Sequence, residues 1–283
     1  MNRPISLAYL TVPGLTPVEQ THVAAEAGYD YVSFRLINLG VPGEPTVDLL
    51  SPMMLRRSRA ALAETGMKLH DIELARILRE VDPASFLPAF EAGAELGARH
   101  VIASAWTSVR NDRDFIIDRF SEICDLAAPF GLTVNLEFPA FSRLACLEDA
   151  VEVLDVAARP NAGLLIDTLY WHFTRARVSG LRMVRRDWIN FLHICDAPAA
   201  IPTTREDMLH IAREARLYPG EGAIDFAALA AALPQVPLSI ELPNARATAE
   251  LGHLGHARRC LEAARDVFTR HGHAPLPRTG TAG

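Results

Sequence analysis

Four short apolar segments in the second half of the chain each carry one side chain able to bind a cation. Glu137 ends NLE, Asp167 ends LLID, His193 lies within FLHICD, and Glu241 ends SIE. An ionised carboxylate in an apolar strand is unfavourable unless it is paired or coordinates a cation, and three of them close together repel one another. Three carboxylates and one imidazole suit Mn²⁺, Mg²⁺ or Co²⁺, and Zn²⁺ is also compatible. As a set, the four residues predict one divalent metal site.

Taken one at a time, these residues have a simpler interpretation. A lone histidine such as His193 in an apolar run is usually a hydrogen-bonded core residue, and a carboxylate at a strand end is usually capped or salt-bridged. The metal hypothesis therefore depends on the strands bringing all four to the same level of one sheet.

Short β-type runs alternate with helical segments along the whole sequence. The predicted strands are 5–12, 31–37, 68–77, 100–106, 132–138, 162–169, 190–197 and 237–242. Such alternation predicts parallel pairing with crossover helices, and eight units in about 270 residues predict an α/β fold of the (β/α)₈ TIM barrel type. A doubly wound open sheet is the alternative, but TVPGLTP replaces the Gly-rich turn expected after its first strand. In a barrel, the carboxyl ends of the strands form the active site.

Composition limits the class of protein. The 283 residues are 49% hydrophobic and 22% charged, with a formal net charge of −6, which is typical of a soluble globular protein and disfavours a nucleic-acid binder. No apolar run reaches the roughly 18 residues of a membrane span, and the N-terminus does not resemble a signal peptide. The four cysteines form no C-x-x-C pair, so we expect reduced thiols in a cytoplasmic protein. We expect residues 1–271 to form a single barrel domain and residues 272–283 a flexible tail.

The four segments, in order and spacing, resemble the xylose-isomerase-like TIM-barrel superfamily of sugar phosphate isomerases and epimerases, also called AP-endonuclease-2-type barrels. The segment RLYPGEGAIDF, residues 216–226, resembles a further signature of that superfamily. The resemblance implies one divalent metal held by Glu137, Asp167, His193 and Glu241 from strands five to eight. It also implies that Arg216 reaches the substrate.

One position departs from the pattern of the ketose epimerases of this superfamily. They have a histidine three residues after the aspartate of strand six, where this chain has Tyr170 within IDTLYWHF. Either the loop is bulged and His172 substitutes, or Tyr170 makes a different contact. Both side chains are candidates for substrate binding.

Other polar and aromatic residues are predicted near the strand ends. Glu73, near the end of strand three, is a candidate for contacting the substrate or a metal ligand. Arg35 could hold a substrate oxyanion or pair with a carboxylate, and we favour the carboxylate. Trp106 could form an apolar wall of the pocket, although aromatic residues at strand ends are most often plain packing.

A metal site with two glutamates suits proton transfer next to a carbonyl group. The ion would act as a Lewis acid and stabilise an enediolate, while Glu137 and Glu241, from non-adjacent strands, would exchange a proton with opposite faces of the carbon. This predicts an isomerase or epimerase of a small sugar or polyhydroxy carbonyl compound. The sequence shows no P-loop and no basic cluster, so we expect an unphosphorylated substrate.

Three other functions are compatible with the same residues. The strongest is β-elimination of water, as in the inosose and 3-dehydroshikimate dehydratases of this superfamily. DNA repair by an AP-endonuclease-like enzyme is remote, because its trinuclear zinc site requires more histidines on early strands. The third is a sugar-binding barrel without catalysis. Barrels of this kind are often dimers or tetramers, so a homo-oligomer is compatible.

Overall fold

Parallel strands form a closed ring at the centre of the molecule. The computed structural model describes residues 3–107 and 112–271, so the predicted tail, 272–283, lies outside the described residues. In chain order the strands are β1 (Ile5–Leu7), β2 (Tyr31–Arg35), β3 (Lys68–Ile77), β4 (His100–Ala105), β5 (Thr133–Glu137), β6 (Ala162–Asp167), β7 (Leu192–Ile194) and β8 (Leu238–Ile240). Each strand pairs in parallel with the next, and β8 pairs with β1 to close the barrel. The predicted (β/α)₈ TIM barrel is confirmed.

Helices cover the outside of the barrel. In the described residues they are α1 (Pro17–Ala27), α2 (Pro52–Thr65), α3 (Leu87–Glu95), α4 (Arg113–Ala127), α5 (Leu147–Ala157), α6 (Thr168–Phe173), α7 (Val178–Met183), α8 (Arg205–Glu214), α9 (Phe226–Ala232) and α10 (Ala245–His271), which is interrupted at Gly252. Short 3₁₀ turns lie at Tyr9–Thr11, Pro83–Phe86, Ala128–Phe130 and Arg186–Trp188. Within the described residues, no helix combines the length and apolar character needed to cross a bilayer.

The local sequence explains where the first helix begins and ends. The Thr16 hydroxyl accepts a hydrogen bond from the backbone of Glu19, whose side chain accepts one from the backbone of Thr16. Pro17 supplies the fixed φ of a first helical turn, and Gly28 closes the helix with a φ of +91°. The capping pattern predicted from TPVEQTHVAAEAG is confirmed.

Seven of the eight predicted strands are shorter in the structure, and the first and the sixth show the physical reasons. The first runs only from Ile5 to Leu7, because the chain then turns into a 3₁₀ segment whose Thr11 hydroxyl bonds to the carbonyl oxygen of Ile240 at 2.6 Å. The sixth ends at Asp167, because this side chain accepts a hydrogen bond from Leu169 N at 2.7 Å and caps α6. A candidate metal ligand thus also ends its own strand.

Apolar residues are divided between the outside and the inside of the barrel. Most buried apolar side chains fill the layer between the strands and the helices. Inside the ring, Leu74, Ile102, Leu165 and Phe191 form a second cluster, with Trp106 packed against it. This inner cluster separates the two polar ends of the barrel interior.

The predicted signature RLYPGEGAIDF is anchored by one buried carboxylate. Asp196, just beyond β7, accepts hydrogen bonds from the backbone N–H groups of Gly220 and Gly222, both at 2.9 Å. Its backbone also forms an isolated bridge with Leu217. These contacts fix the segment in which Arg216 lies, so the signature has a structural role behind the strand ends.

Candidate active site

The four predicted ligands converge at the carboxyl end of the barrel. Glu137 and Asp167 are the last residues of β5 and β6, His193 is the middle residue of β7, and Glu241 directly follows β8. Each offers one oxygen or nitrogen atom, and these atoms all lie within 4.8 Å of one another. Every one of the four side chains is buried. The strand register therefore brings together residues that are far apart in the sequence.

Contacts within the cluster are centred on the imidazole. Nδ1 of His193 lies 3.3 Å from Oε2 of Glu241 and 3.9 Å from Oε1 of Glu137. Neither ring nitrogen of His193 makes a well-directed hydrogen bond to the described residues. Glu137 accepts a bond from the Ser104 hydroxyl at 3.2 Å. A buried histidine that faces carboxylates without a well-directed hydrogen bond is unusual for a core residue.

Arg216 lies behind the cluster, whereas the resemblance implied that it reaches the substrate. Its Nη1 is 2.8 Å from Oδ2 of Asp167, and its Nη2 is 2.7 Å from Oε2 of Glu241. The side chain is only 1% exposed, and its remaining donors bond to the carbonyl oxygens of Ala212 and Glu241. Because its donors are used in this way, Arg216 orients two candidate ligands and does not line the cavity in the described structure.

Burial and mutual repulsion set the proton affinities of the carboxylates. Burial raises the pKa of Glu137 to about 8, with the charges of Glu241 and Asp167 adding to the effect. Burial also raises the pKa of Asp167, although Arg216 opposes it. For Glu241, burial is outweighed by His193 and Arg216, which hold its pKa well below the ordinary value. Burial would lower the pKa of His193, but the charge of Glu241 and its neighbours raises it to about 10.

The donor set fits a divalent cation. Three carboxylates carry three negative charges, which one divalent ion together with the Arg216 guanidinium would balance. One ring nitrogen of His193 would supply the fourth donor atom to the ion. Hard oxygen donors with one imidazole are typical of Mg²⁺, Mn²⁺, Co²⁺ and Zn²⁺ sites.

A cavity of about 730 Å³ opens onto the cluster. Glu137, His193 and Glu241 line it, and Asp167 lies beside them, bonded to Arg216. This volume is in the range of small-molecule sites, and its position at the carboxyl end of the strands is that of TIM-barrel active sites.

Glu73 and Arg35 form a buried pair on the wall of the cavity. Nη2 of Arg35 lies 3.5 Å from Oε2 of Glu73, and Nη1 lies 3.5 Å from Glu44, so the predicted carboxylate partnership of Arg35 is confirmed. Oε1 of Glu73 is buried without a hydrogen-bond partner among the described residues. Burial raises the pKa of Glu73 to about 7, with Arg35 opposing the rise and Glu241 adding to it. Glu73 can therefore exist in either protonation state near neutral pH.

The aromatic candidates are divided between two places. Trp106 and Tyr170 both line the cavity, and each contacts the ring of Phe141 edge-on, at 5.3 and 5.6 Å between centroids. His172 is directed elsewhere, because its Nε2 lies 3.0 Å from the carbonyl oxygen of Pro198. The structure thus does not bring His172 to the cavity, and Tyr170 occupies the position nearer the site.

Sequence reasoning missed two arginines that line the cavity. Arg76 lies near the end of β3, and Arg213 lies in the last turn of α8. The register of β3 against β4 shifts between Ile72 and Ala75, which breaks simple alternation and lets both Glu73 and Arg76 line the cavity. The place of Arg76 near a strand end was a usable signal, whereas nothing in the helical sequence marks Arg213.

The sequence is similar to those of an isomerase, a dehydratase and an epimerase. It is 26% identical over 228 residues to an inosose isomerase of Bacillus velezensis, covering 74% of this chain and 75% of that enzyme. It is 25% identical over 256 residues to a 3-dehydroshikimate dehydratase of Pseudomonas putida, covering 84% of this chain. This chain spans only 38% of the length of the dehydratase.

Solved structures and the family profile agree with the barrel. The structure of the IolI protein with a bound zinc atom superposes with a TM-score of 0.77 at 21% identity, covering 96% of this chain and 100% of that one. The profile described as "Xylose isomerase-like TIM barrel" matches residues 22–264. The match extends over most of the chain and includes the four convergent residues, and the chain belongs to the xylose isomerase-like TIM barrel family.

Proposed function

We propose that the protein is a divalent-metal-dependent isomerase or epimerase of a small polyhydroxy carbonyl compound. The observation that carries this proposal is the convergence of Glu137, Asp167, His193 and Glu241 within 4.8 Å beside a cavity of about 730 Å³. These residues would hold the ion, which would supply Lewis-acid stabilisation of the negative charge that develops on a substrate oxygen. Similarity to an inosose isomerase supports the reaction class.

The two glutamates that line the cavity are suited to different parts of a proton transfer. Arg216 contacts Glu241 at 2.7 Å, whereas among the described residues the hydrogen bond to Glu137 comes from the Ser104 hydroxyl. Glu137 therefore has the higher proton affinity, in line with its raised pKa of about 8. Glu137 would take up a proton from one carbon and return it to the neighbouring carbon of the enediolate, while Glu241 rests ionised on the other side of the cavity floor.

A dehydratase is the second candidate, and Glu73 favours it. This carboxyl group is buried on the cavity wall, has one oxygen without a partner, and has a pKa raised by burial to about 7. It could donate a proton to a leaving hydroxyl group, so that water departs as Glu137 removes the proton from the adjacent carbon. Similarity to a 3-dehydroshikimate dehydratase supports this alternative.

A panel of ketoses, aldoses, inososes and 3-dehydroshikimate in D₂O, with Mn²⁺-loaded protein, separates the two reactions. An isomerase or epimerase incorporates solvent deuterium at one carbon, seen by NMR. A dehydratase instead changes the ultraviolet absorption, because loss of water converts an inosose into a conjugated enone and 3-dehydroshikimate, already an enone, into an aromatic catechol. Glu241→Gln and Glu137→Gln should each lose at least about 100-fold in turnover, the low end of general acid–base effects. Glu95→Gln, in an exposed ion pair with Arg59, is the matched control. Full activity of Glu241→Gln would exclude the proposed role of Glu241 as a metal ligand needed for turnover.

The remaining expectations accompany this proposal. The four cysteines are free thiols, which suits the reducing cytoplasm. The acidic net charge of −6 favours a small-molecule substrate over nucleic acid or a membrane surface. A homo-oligomer stays a prediction, and sedimentation velocity would test it.

A further inference from the structure

Two arginines on the cavity wall make no ion pair with the described residues. Arg76 and Arg213 both line the cavity. Within residues 3–107 and 112–271, neither guanidinium has a carboxylate oxygen in ion-pair contact, in contrast to Arg35 and Arg216, which contact two carboxylates each. Positive charge beside a cavity that leads to an acidic cluster is therefore not explained by pairing inside the protein.

The acidic residues of the lining are already engaged. Glu44 and Glu73 contact Arg35, Glu214 contacts His210 at 3.4 Å, and Glu137 and Glu241 belong to the candidate metal cluster. In the described lining, no carboxylate is in ion-pair contact with Arg76 or Arg213. An anion from outside would therefore reach these two side chains without displacing an internal ion pair.

Both arginines are held in place. Nη2 of Arg76 donates a hydrogen bond to the carbonyl oxygen of Leu39 at 3.2 Å. The other N–H groups of this half-buried guanidinium are available to a ligand. The guanidinium of Arg213 lies 5.5 Å from the centre of the Trp106 ring. Burial lowers the pKa of Arg76; the charges of Glu44 and Glu80 oppose this effect, whereas those of Arg35 and Arg213 add to it. The two guanidinium groups thus lie near each other, and nearby acidic charge acts on Arg76 only from beyond ion-pair distance.

Trp106 adds a third donor to the same wall. Its indole Nε1 is buried and has no hydrogen-bond partner in the described residues. A buried indole N–H normally finds an acceptor. Together, Arg76, Arg213 and Trp106 present donors and no acceptor, which is the chemistry of an oxyanion site.

We propose that Arg76, Arg213 and the indole N–H of Trp106 bind an anionic group of the substrate, a carboxylate or a phosphate. The inference rests on the proposed function and narrows its substrate class to a polyhydroxy carbonyl compound that carries an oxyanion. The carbonyl end would lie at Glu137, His193 and Glu241, and the anionic end would lie against the two arginines. The sequence alone favoured an unphosphorylated substrate because it shows no P-loop and no basic cluster. The two arginines come from separate elements, so they do not form a cluster in the sequence.

Matched ligand pairs test the site by binding alone. Isothermal titration of Mn²⁺-loaded protein would compare D-fructose 6-phosphate with D-fructose, and D-galacturonate with its methyl ester. We expect the anionic member of at least one pair to bind about tenfold tighter for each arginine it contacts, the effect of one charge-assisted hydrogen bond. A preference in the phosphate pair alone identifies a phosphate, and one in the uronate pair alone identifies a carboxylate.

Variants assign the preference to these residues. Arg76→Gln and Arg213→Gln should each reduce the preference by about tenfold. Arg213 is exposed, so its variant tests the site even if Arg76→Gln loosens the neighbouring loop. Arg205→Gln removes the same charge from the first turn of α8, outside the cavity lining, and should bind like the wild type.

Failure of the inference is distinguishable from failure of the proposed function. The inference is overturned if both pairs bind with equal affinity, if neither anionic member binds at millimolar concentration, or if the preference survives in the double variant. The proposed function is tested separately by deuterium incorporation and by Glu241→Gln. An intact anion preference without proton transfer would keep the site and reject the reaction.

Discussion

The two ends of the barrel interior both contain buried histidines and carboxylates, but their contacts differ in the described residues. At the carboxyl end, neither ring nitrogen of His193 makes a well-directed hydrogen bond, and three carboxylates crowd around it within 4.8 Å beside a large cavity. At the amino end, Nδ1 of His70 lies 3.0 Å from Oδ2 of Asp71, whose other oxygen accepts a bond from the Ser33 hydroxyl. Similar residue types therefore have opposite hydrogen-bonding states in one barrel.

Ring contacts complete the amino end. Phe191 packs against His70 and His100, with centroid distances of 4.8 and 5.4 Å. His100 is close to the hydroxyl of Thr133, and burial lowers its pKa to about 3. By contrast, the carboxylates around His193 raise its pKa to about 10. His100 at the amino end is thus held neutral, whereas the carboxyl end holds concentrated charge.

The comparison shows which feature of a buried polar cluster indicates function. Burial and residue type are common to both ends, so neither distinguishes them. The carboxyl end differs in its unpaired donors, its mutually repelling carboxylates and its access to solvent. Polar groups that lack partners inside the protein are available for a ligand, whereas paired ones stabilise the fold.

Matched replacements of the two histidines should have the largest effects. His193→Phe removes a candidate metal ligand, so Mn²⁺ affinity and turnover should each fall at least about 100-fold. Loss of a residue that only supports a metal ligand already reduces affinity or activity by up to about 100-fold, and loss of the ligand itself should do at least as much. His70→Phe leaves Asp71 without one partner, so the free energy of unfolding should fall by about 1–3 kcal/mol while Mn²⁺ affinity is unchanged. Titration calorimetry and urea denaturation measure the two quantities.

The outcome for His70 is as informative as that for His193. Loss of Mn²⁺ binding in folded His70→Phe would show that the ends are coupled, and the distinction between them would fail. Unchanged Mn²⁺ affinity in His193→Phe would remove the imidazole from the ligand set and leave the carboxylates alone to hold the ion.

Metal should stabilise the protein through the carboxyl end only. At an Mn²⁺ concentration 100 times the dissociation constant, linkage adds about 2.7 kcal/mol to the free energy of unfolding. Differential scanning calorimetry with Mn²⁺ and with EDTA should show this shift in the wild type and in Asp71→Asn, but not in Asp167→Asn. An equal shift in Asp167→Asn would place the ion elsewhere.

Most of the fold could be predicted from the sequence because its signals are local. Alternating strands and capped helices such as α1 depend on neighbours in the chain, and both predictions are confirmed. The ends of the strands were less predictable, because they depend on distant contacts. Thr11 bonds to Ile240 and ends the first strand early, and no pattern near Thr11 indicates this.

The site was predictable only as far as parallel register determines it. Residues at successive strand ends must meet, so the convergence of Glu137, Asp167, His193 and Glu241 followed from the barrel. The direction of a side chain in a loop or helix has no such rule. Arg216 faces the ligand carboxylates, His172 bonds to Pro198, and Arg213 reaches the cavity from α8, none of which the sequence specifies.

Crowding the amino end should affect stability without affecting chemistry. A methyl group on Gly163 would lie 2.5 Å from Oδ1 of Asn135 and 2.5 Å from Nδ2 of Asn190, two atoms that hydrogen-bond at 2.8 Å. Gly163→Ala should therefore lower the free energy of unfolding by about 1–3 kcal/mol, with kcat unchanged in the folded protein. In Gly180→Ala the nearest contact, with Leu147, is an ordinary 3.4 Å, so this helical control should be neutral or stabilising. Reduced kcat in folded Gly163→Ala would show that the amino end supports catalysis.

The last expected effect is a pH dependence of stability that originates at the amino end. Burial, with the charge of His70 adding to it, lowers the pKa of His100 to about 3 from 6.5. Below pH 6.5 His100 binds a proton in the unfolded chain but not in the folded protein. The free energy of unfolding therefore falls as the pH decreases towards 3, by at most about 1.4 kcal/mol per pH unit. Above pH 6.5 this contribution is constant. Urea denaturation between pH 4 and 8 should show a shallower acid limb for His100→Gln, whereas His22→Gln, on the exposed face of α1, should follow the wild-type curve. If the stability of His100→Gln falls with decreasing pH as steeply as that of the wild type, the acid sensitivity originates in other groups. The inference that folded His100 stays neutral then loses its support.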